Sequence, residues 1–375
     1  MSNRTATWDG TKKSIDEDGL VSVCASLVGD VLPQRYRTAL GARYKLVTDL
    51  RSDDGSGLPV SERLRAFRHG FTTRLYNLYT LDNGTEPELY LNDIERRRAK
   101  FINPRPELLD NKYKFDRHLR ESGFGEYLPE LYGYISDGTF RSDQYASIAE
   151  LVADEGRVVI KRYRGGAGKH VYICTDGPDG PTLRGKSDRA IPLDEQIDDS
   201  ESYLVTEFCD QADYLDEIYA RATNTIRLLT LKSDEEGVIF PAAVHRIGST
   251  QTGVLDNFTQ GGFSAAIDLD TGELSAAAEP AANQGVTWHD THPDTGATIP
   301  GTTVPGWDSI QTEIRQIARE IDRFNHVGWD LIVTDHGEFK IIEANSYPNP
   351  DVLQVHAPLL ANDDVRRFYR RHEII

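Results

Sequence analysis

Cysteine is scarce in this 375-residue chain: Cys24, Cys174 and Cys209 are the three, far apart and without a C-x-x-C pair. That spacing excludes a disulfide framework and a cysteine-type zinc site, and it fits a reducing cytoplasm. Long hydrophobic runs are missing too. The longest early run, residues 20–31, is interrupted by Ser, Gly and Asp and is too short to span a bilayer. It lacks the basic flank and cleavage site of a signal peptide, so no membrane insertion is expected. Positive charge is the third deficit. Lys+Arg number 42 against 60 Asp+Glu, a net charge of −18, which disfavours nucleic acid or an anionic membrane as partner. Only 11 of the 42 cations are lysine, and an acidic, Lys-poor surface of this kind suits a high-salt interior. Neither internal repeats nor low-complexity segments occur.

The length exceeds a single core, so two or three subdomains are expected, and 38% hydrophobic residues are enough to fold them. Residues 1–15 are polar. Helical stretches are expected over 31–44 and 60–79, around the soft segment 52–57. The Arg-rich run 95–100 reads as a solvated helix face rather than an anion site. Prolines at 104 and 106 punctuate the chain and mark a boundary. One amphipathic helix then covers about 106–121, closed by Gly123, with Lys112 in its first half. Its ammonium either reaches an anion in a cleft or is a plain surface lysine.

Residues 157–174, RVVIKRYRGGAGKHVYIC, read as strand, glycine loop, strand. Gly165, Gly166 and Gly168 let backbone amides approach phosphate oxygens. A P-loop is excluded: Tyr163 stands five before Gly168, His170 replaces the hydroxyl residue, and a strand follows instead of a helix. What remains is a flap with Lys161 at the end of its first strand, or an ordinary glycine hairpin. After a polar excursion over 175–200, a strand at 203–206 runs into Glu207-Phe208-Cys209, where a connector between subdomains falls.

Strands over 225–231 and 238–247 follow, carrying Arg227 and Arg246 in apolar surroundings. Buried arginines need an anionic partner, either a ligand or a structural carboxylate. Asn257 precedes the flexible pair Gly261-Gly262. Residues 280–306 read as loop. His289 and His292 there do not make a metal site, since no cysteine or third histidine is near. A helix over 307–324 leads to the most informative stretch, GWDLIVTDHGEFKIIEANSYP at 328–348, and a terminal helix covers 363–372.

Two apolar runs there flank Asp335-His336-Gly337-Glu338, the signature of a hairpin. With His336-Gly337 as a two-residue turn, Asp330 falls opposite Glu343, and the period of two places Asn345 on the same face. Burying two carboxylates and an amide together is costly without a cation, and hard oxygen ligands suit Mg²⁺.

This order of pieces resembles the ATP-grasp superfamily. NTIRLLTL, the HRIG…DN…GG run, HPDTG…VPGW and GWDLIVT…IIEAN resemble, more narrowly, its sugar-transfer-associated family, with a looser likeness to α-L-glutamate ligases. The resemblance covers roughly 103–356. It implies an α+β ATP-grasp fold, two subdomains (103–209 and 210–375) gripping ATP between antiparallel sheets, after a mostly helical region 1–102 of unknown role. It further implies that Lys112 and Lys161 contact phosphates and that the loop of Gly165, Gly166 and Gly168 closes over them. The backbone of Glu207, Phe208 and Cys209 would meet adenine. Asp330, Glu343 and Asn345 would carry one or two Mg²⁺, with Mn²⁺ as a substitute. Arg227, Arg246 and Asn257 would serve the transferring phosphoryl or reacting carboxylate. Ala212 departs from relatives that carry a polar residue near the ribose. The chemistry implied is a carboxylate–amine ligase working through an acyl phosphate, with a small-molecule kinase or a non-catalytic nucleotide module as rivals. The family's name places it in surface polysaccharide or peptide tailoring.

Overall fold

The computed structural model describes residues 34–51, 57–81, 84–165, 170–186, 189–281, 285–334 and 337–375. The run 20–31, Cys24, Gly166, Gly168, His336 and most of the segment 52–57 lie outside the described residues.

The described residues before the first sheet are mostly helical: Gln34–Arg51, Val60–Arg68, Thr73–Leu78 and Asp93–Arg98. The single helix expected over 60–79 breaks at Gly70, whose φ of +81° suits glycine. Its missing Cβ also makes room for Asn92, which caps the helix Asp93–Arg98 in a capping box with Glu95.

Among the described residues, fifteen strands form two antiparallel sheets. The first contains β1 (Leu131–Ser136), β2 (Thr139–Arg141), β3 (Arg157–Arg162), β4 (Val171–Thr175), β5 (Thr182–Arg184), β6 (Ile191–Pro192) and β7 (Tyr203–Glu207), in the order β2-β1-β7-β3-β4-β5-β6. Alternation along β3 and β4 decides what each face does. Val158, Ile160, Tyr172 and Cys174 enter a core with Ile148, Leu151 and Val152 of the helix Ile148–Glu155. Val159, Lys161, Val171 and Ile173 point the other way, into a cavity.

The second sheet contains β8 (Thr225–Ser233), β9 (Gly237–Ile239), β10 (Ala243–Ile247), β11 (Phe263–Ile267), β12 (Leu274–Ala281), β13 (Gly285–His289), β14 (His326–Val333) and β15 (Phe339–Asn345). Its order is β13-β12-β11-β10-β8-β14-β15, with β9 on β8. One face, carrying Ile226, Leu228, Trp329 and Leu331, packs on the helices Trp307–Glu320 and Lys112–Glu121 through Ile310, Ile314, Phe115 and Leu119. The opposite face is shared. Leu229, Leu231, Val244 and Ala278 lie under the N-terminal helices and the helix Asp363–Arg371, while Arg227, Arg246 and Asp330 face the cavity.

Three expectations are corrected. Pro241 lies between β9 and β10, so no continuous strand covers 238–247. Residues 280–306 are not all loop, because β13 adds an edge strand to β12. The helix expected over 106–121 is two helices, Glu107–Asp110 and Lys112–Glu121, separated by Asn111 in an extended conformation (φ −112°, ψ 110°). Asn111 bridges to Arg164, Lys112 N–H donates to Tyr163 O at 2.9 Å, and the Asn111 side chain caps Lys114 N–H at 3.0 Å. The break ties this helix to the glycine loop and makes Lys112 its first residue.

Candidate functional site

The β14–β15 hairpin pairs Gly328 with Asn345, Trp329 with Ala344 and Asp330 with Glu343, the expected register. Beyond Asp330 the register shifts, and Leu331 pairs with Ile341. Ile342 is the extra residue of a β-bulge. Thr334 N–H donates to Glu338 O at 2.8 Å, so three residues separate the paired ends, not the two of a His336-Gly337 turn. The longer loop alone would shift every pair by one and turn Glu343 onto the face of Trp329, into the apolar core. The bulge cancels the shift. Glu343 and Asn345 share the face of Asp330, while Phe339, Ile341 and Ala344 stay buried on the other.

Cations converge on this row. Arg227, opposite Asp330 on β8, donates to Asp330 from Nε at 2.5 Å and Nη2 at 3.0 Å. Arg246 reaches Asp330 at 3.2 Å and Asp256 at 3.4 Å, and donates from Nε to Thr225 Oγ1 at 3.0 Å. Asp256 accepts from Thr225 N–H at 3.0 Å. Lys112 Nζ lies 3.3 Å from Glu343 Oε1 and 3.1 Å from Gly165 O. Lys161 Nζ lies 3.3 Å from the carbonyl of the bulged Ile342. Two lysines from outside the second sheet thus meet its hairpin.

Burial decides the electrostatics. It pushes the Asp330 carboxyl up, but Arg227 and then Arg246 outweigh it and hold the group below the ordinary carboxylate range. At Asp256 burial prevails over Arg246, and the carboxyl rises. Burial lowers the Lys161 ammonium, and nearby Lys112 lowers it further. An ammonium held under such stress favours an anionic ligand.

These groups line one cavity of about 530 Å³ between the two sheets, a size suited to a small-molecule site. Its lining carries Lys100, Lys112, Lys161, Arg227 and Arg246 against Asp110, Glu207, Asp256, Asp330 and Glu343. The local balance is neutral in a chain of net charge −18. One end is apolar, built by Val159, Val171, Ile173, Phe208, Ile332 and Ile342, with Cys209 beside them. There the Thr206 hydroxyl is buried without a hydrogen-bond partner among the described residues. The Glu207 carboxylate holds Glu130 N–H at 2.9 Å, and Arg157 lies over the Phe208 ring at 4.2 Å. Burial, with Glu207 adding to it, pushes the Cys209 thiol up to about 12, so it is no nucleophile. Asn257 lines the far half, its Oδ1 accepting from Thr259 N–H at 3.2 Å.

Every site residue expected from the sequence and described in the structure therefore lines this cavity: Lys112, Lys161, Gly165, Glu207, Phe208, Cys209, Arg227, Arg246, Asn257, Asp330, Glu343 and Asn345. Sequence reasoning missed Asp256, although it stands beside Asn257, and also Asp110, Thr225, Tyr347 and Asn349. It misjudged the run 95–100 as solvated. Arg96 is buried and Lys100 lines the cavity, because the helix Asp93–Arg98 lies against the segment 347–351. His289 pairs with Glu279 at 2.9 Å, and the buried His292 bonds Gly248 O at 2.9 Å.

Comparison with known families places this arrangement. The family described as sugar-transfer associated ATP-grasp matches residues 95–363. The chain belongs to that family. Its fold is the ATP-grasp fold, α+β with two antiparallel sheets and a mostly helical front. No curated protein matches the chain. Among solved structures it is similar to an L-amino acid ligase from Bacillus licheniformis (12% identity, TM-score 0.37, 67% of this chain and 44% of that one). It is also similar to biotin carboxylase from Campylobacter jejuni, solved as a β,γ-ATP complex (13%, 0.38, 75% and 48%). A third is N5-carboxyaminoimidazole synthetase from Staphylococcus aureus complexed with ADP (10%, 0.35, 65% and 46%). This chain covers under half the length of each.

Proposed function

We propose that this ATP-grasp protein is an ATP- and Mg²⁺-dependent carboxylate–amine ligase that forms an acyl phosphate and then an amide. The observation that carries the reading is the single cavity in which an apolar end adjoins five cations and the oxygen row of Asp330, Glu343 and Asn345. Adenine fits the apolar end, with the orphaned Thr206 hydroxyl and the backbone at Glu207–Cys209 as polar partners. Lys112 and Lys161 suit the phosphates, and Gly165 begins the loop that would cover them.

The donor set fits a hard cation. Asp330, Glu343 and Asn345 offer only oxygen on one face, the chemistry Mg²⁺ prefers and Mn²⁺ shares. They would hold one or two ions, whose role when bound is to neutralise phosphate charge and align the γ-phosphoryl group. The protein's own part is positioning. Arg246, fixed between Asp256, Thr225 and Asp330, and Arg227 beside it, face the place where the reacting carboxylate meets the γ-phosphorus. A carboxylate oxygen bonds to that phosphorus as the bond to the β-phosphate oxygen breaks, releasing ADP. The amine nitrogen then bonds to the acyl carbon, the tetrahedral oxyanion is stabilised by these arginines and Asn257, and phosphate leaves as the amine gives up a proton. No serine or cysteine nucleophile is required.

Residues 103–209 and 210–375 are proposed as the two gripping subdomains, with 1–102 as an added region. A cytoplasmic setting accords with the buried free thiols of Cys174 and Cys209. The family's description as sugar-transfer associated supports a role in tailoring surface polysaccharide or peptide.

The test is a hydroxylamine trap. Purified protein with Mg-ATP, a low-molecular-mass metabolite extract and hydroxylamine is scored for ADP and hydroxamate. Both products together are expected. Extract-dependent ADP without hydroxamate would overturn the ligase in favour of a kinase, and no extract-dependent ADP would overturn both.

A further inference from the structure

Beyond the phosphate and carboxylate centre, the cavity continues to a second polar end that the ligase chemistry above does not use. Lys100, Tyr347 and Asn349 line it, beside Phe258 and Val352. Among the described residues no carboxylate pairs with Lys100.

The wall of this end is held from behind by a buried ionic cluster. Arg96, 8% exposed, is held by Asp93, which accepts from Nη2 at 2.7 Å and from Nε at 3.2 Å. The fully buried Asp351 lies 4.0 Å from Arg96 and binds Arg74 at 2.6 Å. Such clusters contribute little net stability, because desolvation offsets the attraction. What this one produces is orientation. Arg96 Nη1 donates to Tyr347 Oη at 2.7 Å and to Asn349 Oδ1 at 3.1 Å.

A guanidinium only donates, so both partners must accept from it. Tyr347 keeps its O–H proton for another acceptor, and Asn349 turns its amide Nδ2 away from Arg96. The segment between them has little freedom. Ser346 is pinned to Asp110 through N–H at 3.1 Å and Oγ at 2.9 Å, and Pro348 and Pro350 fix φ. A Cβ on Gly328 would sit 2.4 Å from Pro348, so the strand beneath is shaped to the loop. One ammonium, one hydroxyl and one amide N–H₂ are thereby offered at the same end of the cavity. All three are donors.

We propose that this end binds an anionic oxygen group, carboxylate or phosphate, at the far end of the acid substrate, with Lys100 as anchor and Arg96 as the residue that sets the wall. The acid is therefore at least a dianion: one carboxylate reacts near Arg246, and a second group is held at Lys100. The word substrate rests on the ligase reading; the anion site itself does not.

The test uses pyridoxal 5′-phosphate, an anionic aldehyde that condenses with an amine, loses water and is fixed by borohydride. The full chain is labelled in saturating Mg-ADP with this probe or with pyridoxal, which lacks the phosphate, and modified lysines are mapped by peptide mass. Lys100 is expected to react roughly tenfold faster with the phosphate-bearing probe, the scale of a charge-assisted contact. Asn349→Asp, which replaces a donor by a carboxylate, should remove that preference. Competition by inorganic phosphate or by acetate then shows which oxyanion the site takes. Equal rates for the two probes at Lys100, or an unchanged preference in Asn349→Asp, would overturn the proposal. Protection of Lys112 and Lys161 by Mg-ADP is read by comparison with maps of the chain labelled without nucleotide. Its absence would sink the nucleotide reading and leave the Lys100 ratio interpretable.

Discussion

At the residue scale the proposed metal ligands differ in what else they do. Asp330 is buried against two arginines, so Asp330→Asn leaves positive charge uncompensated and should lower stability by on the order of 3 kcal/mol, besides abolishing turnover. Glu343, 24% exposed in its side chain, has Lys112 as its one ionic partner among the described residues. Glu343→Gln should therefore lose turnover with little change in urea midpoint, and comparing both variants by unfolding and ADP release separates the roles. Lys161 carries a pH signature. Burial and Lys112 lower its ammonium, so in the fold it loses its proton at a pH where the unfolded chain still holds one. Nucleotide affinity should weaken as pH rises through that lowered value, while stability rises between it and the unfolded value. Titrating ATP-analogue affinity in the wild type and in Lys161→Met checks this: the alkaline loss should vanish in the variant. Many chemistry-bearing residues could be read from the chain because Lys161, Glu207, Arg227, Arg246, Asp330, Glu343 and Asn345 each lie within a strand of otherwise largely apolar residues. Asp256 could not, because a buried carboxylate next to an asparagine looks like any loop acid until Arg246 is placed beside it.

The elements show where periodicity suffices and where it fails. A period of two placed Asp330, Glu343 and Asn345 on one face, yet the ladder nearer the turn runs in another register. Nothing in Phe339–Asn345 marks the change, since Ile341 and Ile342 are equally apolar. Inserting one residue between Ile342 and Glu343 should carry Glu343 to the face of Trp329 and abolish Mg²⁺-dependent nucleotide binding, measured by calorimetry; retained binding would refute the role given to this register. The helix break at Asn111 was hidden likewise. Its cause is a contact with Arg164, some fifty residues on, which no local propensity encodes. The run 95–100 was misread for the same reason, because besides the nearby Asp93 the partners of Arg96, Tyr347 and Asn349, stand about 250 positions away.

For the whole molecule, three neutral histidines, His245 and His326 buried and His356 half-buried, set a limit in acid. Burial lowers His245, His326 and His356 each to about 4. In the unfolded chain each takes up a proton near its ordinary value. Stability should then fall as pH drops from about 6.5 towards 4, by roughly 1.4 kcal/mol per pH unit for each histidine. Urea midpoints at pH 7 and pH 5 test this, and equal values would refute it. The acidic, Arg-rich surface predicts activity that increases with KCl, whereas monotonic inhibition by salt would count against a high-salt adaptation.

The third core joins parts of the chain far apart in sequence. Leu75, Tyr76 and Leu91 pack with Leu353, Phe368 and Tyr369, and Arg98 reaches the carbonyl of Ile374 at 3.1 Å. The core of the first sheet, by contrast, draws among the described residues on 132–205 alone. During synthesis that sheet can close as soon as β7 clears the ribosome. The helices made before it must wait, apolar faces uncovered, until the helix Asp363–Arg371 emerges. A portion translated before the first sheet thus completes its packing after that sheet has closed.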